Sequence, residues 1–301
     1  MSVKVAFHPN GQILASAGND TTIIWKRNST GQFETQRDQI FRGHGDGASS
    51  VAFNPDGDVL VSASVDKTIK LWKRNSTGKF NPEPDQIHRK HKGGANRVAF
   101  SHDSKTIASV GNDKTIKLWE QNNTGQFNTQ PDQILESDDV AILGVAFSPN
   151  DEILATSGTD KTIKLWRRNS TGQFNTQPDQ ILKGHKDKIA SVAFRPDDGQ
   201  ILASESGTTV KLWNLEGEEL LTLYNPQKKR DWLRSVIFSP DGKTIVAGGG
   251  LDIQIILWRN IDELQLDKLM VSACNWVGDY LKNSKDIEEE SDRHLCDGIG
   301  N

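Results

Sequence analysis

The segment DKTIKLW stands at Asp66–Trp72, again at Asp113–Trp119 and again at Asp160–Trp166. A catalytic motif is needed once in a chain. A structural unit that cannot bury its own apolar face is needed many times. Trp25, Trp72, Trp119, Trp166, Trp213 and Trp258 are separated by 47, 47, 47, 47 and 45 residues. A second ladder, Phe7, Phe53, Phe100, Phe147, Phe194 and Phe238, keeps step at 46, 47, 47, 47 and 44 residues. Six units in phase fill residues 1 to about 265.

Each unit reads as short β-strands divided by turn residues. In the second, SSVAF ends at the turn NPDGD, VLVSAS ends at the turn VDK, and TIKLW is a third strand. The polar loop NSTGKFNPEPDQ leads to an edge-like fourth strand in DQIHRKH. Connections this short make the strands antiparallel neighbours, since a parallel return needs a long crossover. Four short strands per unit, closed at a tryptophan, predict an all-β propeller of six blades.

The string GHKDKIASVAFRPDDGQILAS, followed by TVKLW, resembles the WD-repeat (WD40) β-propeller family over residues 1 to about 260. The near-identical units and the ending LMVSACNWVGDYL resemble, more narrowly, long WD-repeat proteins of cyanobacteria, which implies a bacterial cytoplasm. The family resemblance implies a tetrad in each blade. The Trp indole donates to a Ser or Thr on the second strand, that hydroxyl meets a His, and the His meets the Asp of the tight turn. Carried over, the second unit has His44, Ser62, Asp66 and Trp72, and the third has His91, Ser109, Asp113 and Trp119. The remaining units depart from the pattern. Asp138 stands at the His position of the fourth unit. Gly207 replaces the Asp of the fifth. Lys229 and Gly248 occupy the His and Ser positions of the sixth, which keeps Asp252.

The same resemblance places partners on the face where the loops from fourth to first strands emerge. Counting back from each Phe, and to the residue before each turn Asp, gives Asn19, Asn96, Asn112, Lys188, Trp232, Arg234 and Leu251 as the expected protein-binding face. Lys188, Trp232, Arg234 and Leu251 form one sector beside the basic run Lys228–Arg230, and Trp and Arg dominate interface hot spots. An acidic or aromatic peptide is the complement.

The rest of the chain narrows the function class. It has 36 Lys+Arg and 40 Asp+Glu, net −4, which gives no field suited to nucleic acid or an anionic membrane. Cys274 and Cys296 lack metal-ligand spacing and suit a reducing compartment. Neither a phosphate loop nor a zinc motif is present, so no cofactor and no metal are expected. His8, His88 and His102 read as isolated, exposed side chains. Asn28, Asn75, Asn122 and Asn169 begin formal glycosylation sequons and read as turn residues; the NSTGQF-type loops they open are repeat decoration or a polar rim for a partner. After Trp258, apolar residues from Leu266 to Leu281 recur at helical spacing, predicting one amphipathic helix over Leu264–Lys282. The expected division is a propeller over 1–260 and an acidic helical extension over 261–301, with the sixth blade three-stranded or patched by that helix.

The expected function is a non-catalytic scaffold or sensor for a protein or peptide, monomeric or within a larger complex. Two other readings are a hydrolytic propeller, lactonase- or phosphatase-like, and a regulatory segment separated from a kinase or NTPase.

Overall fold

The computed structural model describes residues 4–18, 21–137, 141–225, 232–249 and 254–259. Its 23 strands form six antiparallel sheets, each a run of consecutive strands. Blade 1 is β1 (Lys4–Phe7), β2 (Ile13–Gly18), β3 (Thr21–Lys26) and β4 (Gln39–Arg42). Blade 2 is β5 (Ala48–Phe53), β6 (Val59–Ser64), β7 (Ile69–Lys73) and β8 (Gln86–His88). Blade 3 is β9 (Ala95–Phe100), β10 (Thr106–Gly111), β11 (Thr115–Glu120) and β12 (Gln133–Glu136). Blade 4 is β13 (Ile142–Phe147), β14 (Ile153–Gly158), β15 (Thr162–Arg167) and β16 (Gln180–Lys183). Blade 5 is β17 (Ser191–Phe194), β18 (Ile201–Ser206), β19 (Thr209–Asn214) and β20 (Glu219–Tyr224). Blade 6 shows β21 (Leu233–Phe238), β22 (Thr244–Gly249) and β23 (Gln254–Arg259). The expected helix, and the question of a fourth strand over residues 262–267, lie outside the described residues.

The repeated Asp-Lys-Thr is a turn before it is anything else. Lys67, Lys114 and Lys161 sit at φ of 70°, 66° and 65°, a left-handed conformation that costs a non-glycine residue energy. The preceding Asp offsets that cost. Asp66 Oδ1 accepts from the Thr68 amide at 2.9 Å and its hydroxyl at 2.6 Å, and Asp160 accepts from the same two groups of Thr162, one on each carboxylate oxygen. The sequon asparagines are also turn formers: Asn28 Oδ1 accepts from the Thr30 amide, the Thr30 hydroxyl and the Gln32 amide, and the other three repeat this.

The core lies between blades. Each blade presents Ala, Val, Ile and Leu from its second and third strands to the first strand, Trp and loop Phe of the next. Trp72, Trp119, Trp166 and Trp213 are at most 1% exposed, each buried against the preceding blade. Outside them runs a chain of amide clasps. Gln39 donates to the Phe80 carbonyl at 2.8 Å and accepts from the Phe80 amide at 3.1 Å; Gln86 binds Phe127 and Gln133 binds Phe174 alike. Three of the four repeated Asn-X-Thr loops therefore carry a buried Phe (Phe80, Phe127 and Phe174) that bolts neighbouring blades together.

Several expectations are corrected. His8 and His88 are buried, and only His102 is exposed. His8 lies against the turn of blade 2, with Nε2 2.8 Å from the Gly57 carbonyl; a Cβ on Gly57 would fall 2.4 Å from the His8 ring. His88 packs edge-on against Trp119 at 4.5 Å, where blades 1, 3 and 4 place Phe41, Leu135 and Leu182. In blade 6 the register puts Ala247, not Gly248, opposite Val236, as Ser109 lies opposite Val98. In blade 5 the β18–β19 turn is one residue shorter than that of blade 3, so Gly207 marks a deletion and not a replaced Asp.

Candidate interaction face

The tetrads come first, because Ser, His and Asp in one network resemble a hydrolytic triad. In blade 3, Trp119 Nε1 donates to Ser109 Oγ at 3.0 Å. Ser109 Oγ lies 2.9 Å from His91 Nε2, and His91 Nδ1 lies 2.9 Å from Asp113. Burial lowers the His91 pKa, so the ring is neutral: Nδ1–H donates to Asp113 and Nε2 accepts from Ser109. Burial works against the Asp113 carboxylate, but His91, the Lys92 amide and Lys117 outweigh it and hold the carboxyl well below its usual range.

Blade 2 has the same His44–Ser62 and His44–Asp66 contacts, at 2.7 and 3.0 Å, yet Trp72 Nε1 has no hydrogen-bond partner. Hydrogen bonds to Asp66 from Thr68, His44 and two backbone amides overcome the cost of burial and hold its carboxyl at about 2. Blade 5 joins His185, Ser204 and Trp213, with His185 Nδ1 unpaired where the Asp is missing. Blade 4 joins Trp166 to Thr156 alone, while Lys164 binds Ser137 and Asp160. Asp138, Lys229 and Asp252 lie outside the described residues. Ser62 and Ser109 are fully buried. A nucleophile must reach its substrate, and these hydroxyls are arranged only to bind their neighbours.

The expected face divides into two parts. Asn96 and Asn112 meet in blade 3, where Asn96 Nδ2 donates to Asn112 Oδ1 and to the Ile142 carbonyl, both at 2.8 Å. Their polar groups are engaged in joining blades 3 and 4. Lys188 and Trp232 meet on the other side of the ring. Both are placed by the short turn of blade 5: Ser206 Oγ donates to the Asp187 carbonyl at 2.8 Å, and the Leu233 amide donates to the Gly207 carbonyl at 2.7 Å. Gly249 closes beneath them at φ +156°, where a Cβ would lie 2.6 Å from the Trp232 carbonyl. Lys188 Nζ then stands 5.2 Å above the Trp232 ring, within cation–π range, and Trp232 remains 43% exposed. Arg234, two residues on, is also exposed. Asn19 and Leu251, and the run Lys228–Arg230, lie outside the described residues.

A further group was missed in the sequence. The register aligns Lys4, Ser50, Arg97, Gly144, Ser191 and Ser235 on the six innermost strands. Arg97 reaches from blade 3 to donate to Ser191 of blade 5 at 2.8 Å, and Lys4 of blade 1 donates to the Arg234 carbonyl of blade 6 at 2.7 Å. Glu205 completes this group from the second strand of blade 5. It is fully buried, and neither carboxylate oxygen has a hydrogen-bond partner. The other blades have Ala17, Ala63, Val110, Ser157 and Gly248 at its register position. Burial pushes the Glu205 carboxyl up to about 8 against the pull of Lys4, Arg97 and Arg234. Burial brings Lys4 down to about 7, with the Arg97 charge acting in the same direction. The clue in the sequence was a lone Glu in LASES, where the strand alternation turns it inward.

Among the described residues, no three His, Cys, Asp or Glu side chains converge as metal ligands, and no helix is long and apolar enough to cross a membrane. A comparison with curated proteins gave no match. The family model described as WD domain, G-beta repeat matches residues 2–26, 35–73, 83–120, 130–167, 176–214 and 217–259, each segment after the first running from the fourth strand of one blade through the third strand of the next. With six matched repeats covering most of its length and six sheets built on them, the chain belongs to the WD40 family.

Proposed function

We propose that this propeller is a non-catalytic interaction module that takes an acidic peptide segment at the sector formed by Lys188, Trp232 and Arg234, with Leu251 beside them. The observation that carries the reading is the cation held 5.2 Å above a half-exposed tryptophan at a loop junction. An exposed indole offers apolar area, and two adjacent cations select a carboxylate-bearing partner. Asn19, Asn96 and Asn112 belong to the same mouth, and Asn96 and Asn112 act there as positioning residues. The module needs no cofactor or metal, binds neither nucleic acid nor membrane, and works in a bacterial cytoplasm as a monomer or within a larger complex. The chain divides into a propeller over 1–260 and an acidic extension over 261–301.

Selection from a random peptide display library on the full chain tests this. The expected result is enrichment of acidic, aromatic peptides whose binding weakens with salt, and loss of that pool for Lys188→Glu/Arg234→Glu. Enrichment of sequences without net acidity, or unchanged binding by the charge-reversed variant, would overturn it.

A further inference from the structure

Five interfaces join blade 1 to 2, 2 to 3, 3 to 4, 4 to 5 and 5 to 6, and each holds an apolar cluster. In each, the first strands lie side by side, β1 with β5 and onward to β17 with β21. Among the described residues, blades 6 and 1 share no such cluster and their first strands do not pack in this way. The residues that should meet there are exposed. On blade 1, Val5 and Phe7 are 57% and 56% exposed, whereas Val51, which corresponds to Val5 in blade 2, is 6% exposed. On blade 6, Ile255 and Leu257 are 69% and 51% exposed, whereas their counterparts Ile69 and Leu71 are each 1% exposed. Two walls of core composition thus face an open seam. At the axis one bond crosses the seam, from Lys4 Nζ to the Arg234 carbonyl at 2.7 Å.

We infer that the chain's own segment over residues 264–282 docks as a helix in this seam, between the apolar walls of blades 6 and 1. A complete extra blade would have to place its first strand at the axis, where Lys4 bridges to blade 6. A helix of about 10–12 Å diameter needs no place at the axis, and 19 residues span about 28 Å, enough to cross the face of a blade. The segment is also in place to do this. It follows Arg259, the end of β23, whose Ile255 and Leu257 form one wall. Four intervening residues reach at most about 14 Å, enough to turn back onto that wall. Its apolar stripe, with Leu266, Met270, Val277 and Leu281 at helical spacing, supplies the surface that the walls lack. Cys274 lies on that stripe, four residues after Met270 and three before Val277.

Thiol crosslinking in the full chain tests the seat. Phe7→Cys in a Cys296→Ser background should form an intramolecular disulfide with Cys274 on mild oxidation, mapped by mass spectrometry at monomer mass. It should form at least about tenfold faster than from Ile134→Cys on the outer edge of blade 3, because docking raises the local thiol concentration. Val5→Cys serves as a second position on the same wall if Phe7→Cys perturbs folding. As a separate readout, Met270→Asp/Val277→Asp should accelerate amide exchange in β1 and β23 and leave β9 and β10 unchanged. Crosslinking no faster than the control would overturn the proposal, as would unchanged exchange. A disulfide-linked dimer as the main product would overturn it in favour of a second copy in the seam.

Discussion

Trp119 and Trp232 lie in one ring and are wired in opposite ways. Trp119 is 1% exposed, donates to Ser109 and is pressed by His88 from the preceding blade. Trp232 is 43% exposed and carries the Lys188 amine over its face. One indole is held by a hydrogen-bonded network within its own blade and buried against the blade before it. The other stands at a junction where blade 5 has a shortened turn and the repeat pattern fails. In a repeat protein, then, the positions that follow the pattern specify the architecture, and departures from it are where recognition can be sought.

The largest expected effect attacks the buried side of that comparison. Trp119→Ala removes a fully buried aromatic and leaves Ser109 without its donor. It should cost about 3–5 kcal/mol in urea unfolding, the range for large-to-small aromatic core changes. A loss under 1 kcal/mol would mean that blade 3 repacks freely and the network does not hold it.

Glu205 comes next, as a case where the interior breaks its own rule. Its folded pKa is raised, so below the unfolded value of 4.5 both states keep the proton and nothing is lost. Between 4.5 and about 8 the unfolded chain sheds the proton while the folded chain retains it, so stability falls as pH rises and levels off above 8. Glu205→Gln should therefore stabilise by roughly 3 kcal/mol at pH 7 and by almost nothing at pH 4. Equal effects at the two pH values would show that the carboxylate is compensated in the folded ring.

His88 sharpens the comparison at smaller scale. Its two ring nitrogens are buried without partners, and burial lowers its pKa to about 4. Blades 3 and 4 place Leu135 and Leu182 at this position. His88→Leu should gain about 1–2 kcal/mol by removing unpaired polar atoms beneath Trp119. The gain should widen from pH 7 toward pH 4. A depressed histidine pKa means that the unfolded chain binds a proton from about 6.5 downward while the folded chain does not. A variant that melts earlier would indicate a partner for that ring.

The repeat, the strand order and the antiparallel sheets were legible because they rest on local spacing: Trp to Trp, Phe to Phe, turn to turn. The tetrad of blade 3 was legible through the family resemblance, since its four residues keep their intervals. What was not legible depends on a neighbour. His8 is covered by the turn of blade 2, and His88 by the Trp of blade 3, so neither burial is written in its own unit. The sixth-unit hydroxyl position was misread because only the register counted from Phe238 identifies Ala247. The unpaired Trp72 indole is likewise invisible in a motif that matches blade 3 residue for residue. The pairing of Lys188 with Trp232 was legible only as a shared sector, because the anchors that set their distance are backbone groups of the blade 5 turn.

The contrast between the two tryptophans can be measured in one paired assay on Trp232→Ala: unfolding free energy, and affinity for a peptide selected on the wild-type chain. If Trp232 is held out for recognition, stability should change by no more than about 0.5 kcal/mol, as for ordinary surface sites. Affinity should fall at least tenfold, about 1.4 kcal/mol. A loss of more than about 2 kcal/mol in stability, the scale of a buried aromatic, or unchanged affinity, would place Trp232 with Trp119 in the architecture and contradict the proposed site.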